Sequence, residues 1–254
     1  MAIVFLDLDG TVLDKGKPAE GIIETIALLK KNQHQPIIAT GRVPHVFYGI
    51  HNTLGISDYI AANGQYIFYQ NQVIYKKPIP SDVVERLVNF CMQKELDLVL
   101  ETADDYVAIQ KNTILVDQFS DVYHIEYPRV NPTFHRNQEI LAGVFFSDEW
   151  VDDARQLFPE LQFNKTSAMG YDINLKGDLK ADAVRWLIDY LNYPISDVYA
   201  IGDGLNDISM LSAVENSIAM GNAHPYLKAV ARFVTKDVTD GGIKHALQTF
   251  HLID

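Results

Sequence analysis

The chain has 254 residues, 48% hydrophobic and 21% charged, an ordinary globular balance with enough length for one large domain or two smaller ones. Its formal net charge of −12 argues against nucleic acid as the main partner, because phosphate backbones are bound by clustered lysine and arginine; a small phosphorylated ligand is still admissible. The single cysteine, Cys91, excludes an internal disulfide and fits a reducing cytoplasm, the amino terminus has no basic region before its apolar run, and no stretch is long and apolar enough to span a bilayer.

The apolar run 2–6 is β-rich and too short for a helix, so it reads as a buried central strand. It ends in Asp7, Leu8, Asp9, Gly10 and Thr11. Side chains alternate along a strand, so Asp7 and Asp9 both face whatever lies beyond its carboxyl end. Two carboxylates in one crevice resist joint ionisation, which calls for a divalent cation or a protonated partner. Magnesium, a hard ion satisfied by carboxylates, a carbonyl and waters, is the natural candidate. Gly10 frees the chain to turn, and Thr11 can orient Asp9 by a local hydrogen bond. A plain polar turn would use the same residue types.

Residues 12–17 read as a flap-like connection, with Pro18 in the first turn of a helix that carries Ile22, Ile23, Ile26, Ala27 and Leu29 toward the sheet. Residues 35–39 read as a second strand, ending at Thr40, Gly41 and Arg42. Pro44 opens a second helix, stopped by Gly55, and 59–62 is a third strand. Asn63 and Gly64 then turn into a hairpin of 66–69 and 73–75. Prolines at 78 and 80 disfavour both helix and central strand, so 76–80 reads as a hinge.

Beyond the hinge Ser81 is placed to cap a helix running to about residue 94. Strands at 96–101 and 106–110, a helix at 113–119, a strand at 140–146, a helix at 148–158 and strands at 161–165 and 171–175 follow without the earlier alternation. Residues 79–175 are therefore expected to be an inserted α+β domain. Residues 174–179 would lead back to a helix at 181–191, a strand at 198–201, a helix at 207–213, a strand at 217–220, a helix at 224–231 and a strand at 233–235. The whole reads as an α/β protein whose doubly wound, mostly parallel, Rossmann-like core is discontinuous over 1–78 and 176–254.

Ligands of such sheets sit beyond the carboxyl ends of the strands. The ends here offer Asp7 and Asp9, then Thr40 and Gly41, then Gly202, Asp203, Gly204, Leu205, Asn206 and Asp207. Asp203 supplies the further carboxylate for a magnesium site shared with Asp7 and the Asp9 backbone. Gly202 and Gly204 begin a dinucleotide fingerprint, but Asp207 replaces its third glycine and would repel a pyrophosphate. A phosphate-loop lysine motif, a serine nucleophile elbow and a histidine pair at metal spacing are all missing. His45 and His51 read as surface residues of a helix, while Arg42, entering that helix, is as readily a group that reaches the substrate as a plain surface charge.

This combination of 7–11, 40–42, 62–64, Lys180, 202–207, 220–223 and 241–242 resembles the haloacid dehalogenase superfamily of phosphotransferases, and within it the Cof-type phosphatases with a type IIB cap. The resemblance implies that Asp7 attacks phosphorus and that Asp9 protonates the leaving group and then deprotonates water. It further implies that Thr40 and the backbone amides of Leu8 and Gly41 hold the transferring oxygens and that Lys180 neutralises them. Asn206 would be another phosphate contact, and Thr11 and Asp207 would support the site from behind. Lys176, followed by Gly177, competes with Lys180, and the distance to the following helix end favours Lys180. The implied activity is magnesium-dependent hydrolysis of small phosphorylated metabolites, sugar phosphates or phosphorylated cofactors, in the cytoplasm, with the insert choosing the substrate. Phosphoryl transfer to another sugar and a non-catalytic phosphometabolite sensor remain as alternatives, although a sensor needs neither Asp7 nor Asp9.

Overall fold

The computed structural model describes residues 1–123, 125–165, 169–177 and 179–254, with Asp178 of the expected return linker outside them. The chain forms two compact units, one of Met1–Arg42, Phe47–Lys76 and Asp178–Asp254, the other of Val43–Val46 and Lys77–Gly177.

The first unit is built on an eight-stranded sheet, in the order Phe233–Val234, Asn216–Ala219, Val198–Gly202, Ile3–Leu6, Gln35–Ala39, Tyr59–Ala61, Tyr66–Tyr69 and Gln72–Lys76. The pairings are parallel as far as Tyr59–Ala61, and the final hairpin is antiparallel. Ile3–Leu6 is buried at every position, as an unbroken apolar run must be when both faces of a parallel strand are covered. It lies between Gln35–Ala39 and Val198–Gly202, so the sheet is wound in opposite directions on its two sides and this strand marks the switch point, where a crevice opens beyond the carboxyl ends.

Several local expectations are corrected. Pro18 does not open a helix: Lys17–Pro18 pairs with Leu13–Asp14 as a small antiparallel flap, a place where a proline's missing N–H is tolerated. The helix begins instead at Ile22, after Gly21 at φ 72°. Ser81 is the first helical residue of Ser81–Gln93 and not its cap, because Pro80 holds the cap position with an extended ψ of 136°. The next helix runs over Leu115–Tyr123, later than the residue pattern suggests. Thr113 is diverted: its N–H and hydroxyl both donate to Asp97 Oδ2, at 3.0 and 2.5 Å, and its Oγ1 accepts from Leu115 N–H. The region 207–213 divides into a 3₁₀ turn, Leu205–Asp207, and a short helix, Ile208–Ser212. A last helix, Gly242–Thr249, follows Gly241 and itself begins on a glycine, a start that hides it from the residue pattern.

The second unit carries a six-stranded sheet in the order Arg129–Val130, Tyr106–Gln110, Leu98–Glu101, Ala142–Phe145, Tyr171–Leu175 and Leu161–Lys165, antiparallel except at its Arg129–Val130 edge. Val99, Tyr106, Ala108, Val116, Phe119, Val144 and Phe146 form a core against one face. Among the described residues no helix is long and apolar enough to cross a membrane.

Glu101 stands opposite Tyr106 in this sheet, and burial, aided by the charge of Asp172, pushes its carboxyl up to about 8. A carboxyl raised in the folded state costs nothing below its unfolded pKa, and costs more as pH climbs from there to the folded value. Glu101→Gln is therefore expected to raise the stability of the protein at about pH 8 by on the order of 1–3 kcal/mol, with no gain near pH 4. Thermal melts across that range check it, and identical melting temperatures at the alkaline end would refute it.

Candidate active site

Asp7 leaves the central strand with its N–H donating to the Ile201 carbonyl at 3.0 Å, which fixes it beside the end of Val198–Gly202. Its side chain is buried and meets Lys180, the second residue of the helix Leu179–Tyr190. The Lys180 ammonium donates to Asp7 Oδ1 at 2.7 Å and to Asp207 Oδ1 at 2.5 Å, and all three groups are buried. Asp207 Oδ2 accepts the backbone N–H groups of Asp203 and Gly204, both at 3.0 Å. Its carboxylate is thus committed on both sides, to the lysine and to the loop, and acts as a brace. Gly202 is required at this point, because a Cβ there would sit 2.6 Å from the Asp207 carboxylate.

Lys180 reaches Asp7 because of the turn at residues 62–64. Gly64, at φ 104°, lies so close to the helix start that a Cβ on it would fall 2.1 Å from the Leu179 carbonyl. Ala62 and Asn63 are left-handed as well, at φ 49° and 52°. The turn is held by Asn63 N–H donating to Thr40 O at 3.1 Å and Ala62 N–H donating to Arg42 O at 2.9 Å. The same turn therefore seats the lysine helix and shapes the Thr40–Gly41 strand end. Lys176, the rival lysine, belongs to the second unit, where its N–H donates to Glu160 O.

Asp203 is oriented by Thr11, whose hydroxyl donates to Oδ1 at 2.9 Å. Thr11 thus supports Asp203 and not Asp9, a correction that follows from Gly10 at φ +75° folding the turn back onto the neighbouring strand end. The approach is close: a Cβ on Gly10 would lie 2.2 Å from Asp203 Oδ2. Of the two readings open for Arg42, the plain surface charge does not hold. The side chain forks the Asp9 carboxylate, Nε to Oδ2 at 2.8 Å and Nη2 to Oδ1 at 2.6 Å. Asp9 is 54% exposed and Arg42 only 16%, so the arginine is the fixed partner. Thr40 is buried, and its Oγ1 accepts the Arg42 N–H at 3.2 Å. The Leu8 carbonyl closes the turn by accepting from Val12 and Leu13, while Asn206 is exposed with its Oδ1 against Gly204.

The electrostatics follow from burial. Desolvation holds the Asp7 carboxyl well above its ordinary range, the charge of Asp207 adds to that, and Lys180 offsets only part of it. Burial alone would lower the Lys180 ammonium, but Asp207 and Asp7 outweigh it, so its proton is held more tightly than usual. Asp203 is pushed up to about 6, chiefly by burial, with the Thr11 hydrogen bond pulling the other way. Oxygens of Asp7, Asp203 and Asp207 all lie within 4.8 Å of one another. Three carboxylates face one ammonium, and with Asp207 committed, Asp7 and Asp203 offer hard oxygen donors of the kind a divalent cation such as magnesium takes.

A family model described as haloacid dehalogenase-like hydrolase matches residues 4–247. YkrA of Bacillus subtilis (strain 168) is 34% identical over 252 residues, covering 99% of this chain and 98% of its own. The pyridoxal phosphate phosphatase YbhA of Escherichia coli (strain K12) is 27% identical over 275 residues, covering 99% and 98%. The solved structure of the subclass IIB sugar phosphatase BT4131 superposes with a TM-score of 0.84 at 27% identity, covering 100% of both chains.

Two outcomes are expected of the cation site. Because Asp203, pushed up to about 6, must be ionised to act as a ligand, the affinity for a divalent cation, measured by calorimetry with magnesium as the probe, should be about tenfold weaker at about pH 5 than at about pH 7. Gly10→Ala, which drives a methyl group into Asp203, should weaken that affinity about 10- to 100-fold, and a variant that binds magnesium like the parent would contradict the packing described.

Proposed function

The chain belongs to the haloacid dehalogenase-like hydrolases, and on that premise we propose that it is a magnesium-dependent phosphatase of small phosphorylated metabolites, working through an aspartyl phosphate on Asp7. Sugar phosphates and phosphorylated cofactors are the substrate classes, by analogy with the relatives that act on a sugar phosphate and on pyridoxal phosphate. The observation that carries the reading is the buried Lys180 ammonium, 2.7 Å from one oxygen of Asp7. Its charge favours the ionised form of that carboxylate against the effect of burial and aims it, and it would also meet the oxygens of a phosphoryl group attacked by the other oxygen.

In the first step Asp7 Oδ2 forms a bond to phosphorus as the ester P–O bond breaks. Asp9, whose two oxygens each accept one N–H from Arg42, gives its proton to the departing oxygen. In the second step Asp9, again a carboxylate, takes a proton from the water that attacks phosphorus, and the bond to Asp7 breaks to release inorganic phosphate. Thr40, the amides of Leu8 and Gly41, and Lys180 bind the transferring oxygens, with Asn206 at the exposed side. Asp7, Asp203 and the Asp9 main-chain carbonyl would hold magnesium, which when bound lowers the cost of bringing a phosphate dianion to a carboxylate. The second unit is assigned the choice of substrate, and the lone, buried Cys91 goes with a cytoplasmic setting.

A panel of phosphate esters assayed for free phosphate tests the reading. Turnover should require magnesium and vanish with a chelator, and Asp7→Asn should abolish it while leaving the circular dichroism spectrum unchanged. Lys180→Ala should lower kcat by on the order of 10²–10³-fold. Full turnover by Asp7→Asn would overturn the proposal, and isomerised sugar phosphate in place of free phosphate would turn it into a mutase.

A further inference from the structure

Asn222, in the turn after the strand Asn216–Ala219, has no part in the chemistry above, yet it joins three separate segments of the first unit. Its Nδ2 donates to the Gly10 carbonyl at 2.7 Å and lies 3.5 Å from Asp203 Oδ2, while its Oδ1 accepts the Val238 N–H at 2.9 Å. The two ends of the amide cannot be exchanged. A carbonyl on one side requires a donor and an N–H on the other requires an acceptor, so the group is held in a single orientation by backbone alone.

The surroundings are equally fixed. A Cβ on Gly221 would come 2.5 Å from the Asp237 nitrogen, Gly221 N–H donates to Lys236 O at 2.9 Å, and His224 N–H donates to the Asp203 carbonyl at 2.9 Å. Asn222 is thus a strut between a fixed turn and the Gly10 carbonyl, the residue whose Cα backs directly onto the Asp203 carboxylate. Thr11 fastens the same turn to Asp203 from the next residue.

We propose that Asn222 is a positioning residue for the cation site: it presses the Gly10 turn against Asp203 and so sets the spacing between carboxylates that arrive from two different strand ends. Only the identity of the cation rests on the phosphatase reading. Outer partners of this kind typically govern metal affinity by about 10- to 100-fold without touching the metal.

Asn222→Ala and Asn222→Ser, neither of which reaches Gly10 and Val238 together, supply the test. In cation-free protein, hydrogen exchange at the amides of residues 10–13 should be faster in both variants than in the parent. Magnesium titrated by calorimetry should bind about 10- to 100-fold more weakly, while kcat at saturating magnesium stays within about threefold of the parent. Unchanged exchange in the folded variants would overturn the proposal, as would parental magnesium affinity. A parent protein that binds no magnesium would defeat the phosphatase reading by itself, and the exchange comparison would still decide the role of Asn222.

Discussion

A lysine ammonium buried between two buried carboxylates is the constraint on which the first unit turns. Lys180, Asp7 and Asp207 are each almost wholly removed from solvent, and each would be costly alone. Breaking one member of such a set strands the others, typically at about 3–5 kcal/mol, so the three are kept as a group. The group is also unbalanced. Asp203 stands near, and burial first, with the charge of Asp207 added, makes its carboxyl and that of Asp7 both resist ionisation. An enclosure short of positive charge is stabilised by a cation, and when a phosphoryl group arrives its own charge can be met by that cation and the lysine together.

The fold supplies this enclosure through close backbone approach at a switch point. Ile3–Leu6 and Val198–Gly202 run side by side in register, Leu6 beside Ile201, so the residues that follow them must emerge together. What then decides the geometry is where side chains are absent. Gly10, Gly64 and Gly202 each stand where a single Cβ would overlap Asp203, the Leu179 carbonyl or the Asp207 carboxylate. Polar side chains do the fastening: Thr11 across 192 residues to Asp203, and Lys180 across 173 to Asp7.

Much of this was legible in the sequence, for a physical reason. Alternation along a strand puts Asp7 and Asp9 beyond a buried apolar run, and an acidic loop after a later strand of the same kind points to the same crevice. The family resemblance, with the distance to the following helix end, favours Lys180 over Lys176, and in the structure Lys180 is the lysine that meets Asp7. Other features depend on contacts that no local pattern encodes. Gly64 looked like a hairpin turn, and its packing against Leu179 is visible only when distant segments meet. Arg42 could not be told from a plain helix-surface charge, because its partner Asp9 lies 33 residues away. Thr11 was matched to its neighbour Asp9 for want of any signal from Asp203. Pro18 fits an edge strand as well as it fits a first helical turn, and the diglycine start of Gly242–Thr249 conceals a helix whose Ile243, Ala246 and Leu247 are buried.

Under the proposed function, this buried cluster serves to make Asp7 a nucleophile. Rapid acid quench during turnover of a phosphate ester, followed by mass spectrometry of the peptide that carries residues 3–14, tests it most directly. An acyl phosphate on Asp7 that disappears when the ester is exhausted is the expected result. Turnover with no phosphate captured on that peptide, or with phosphate captured on a different residue, would contradict it.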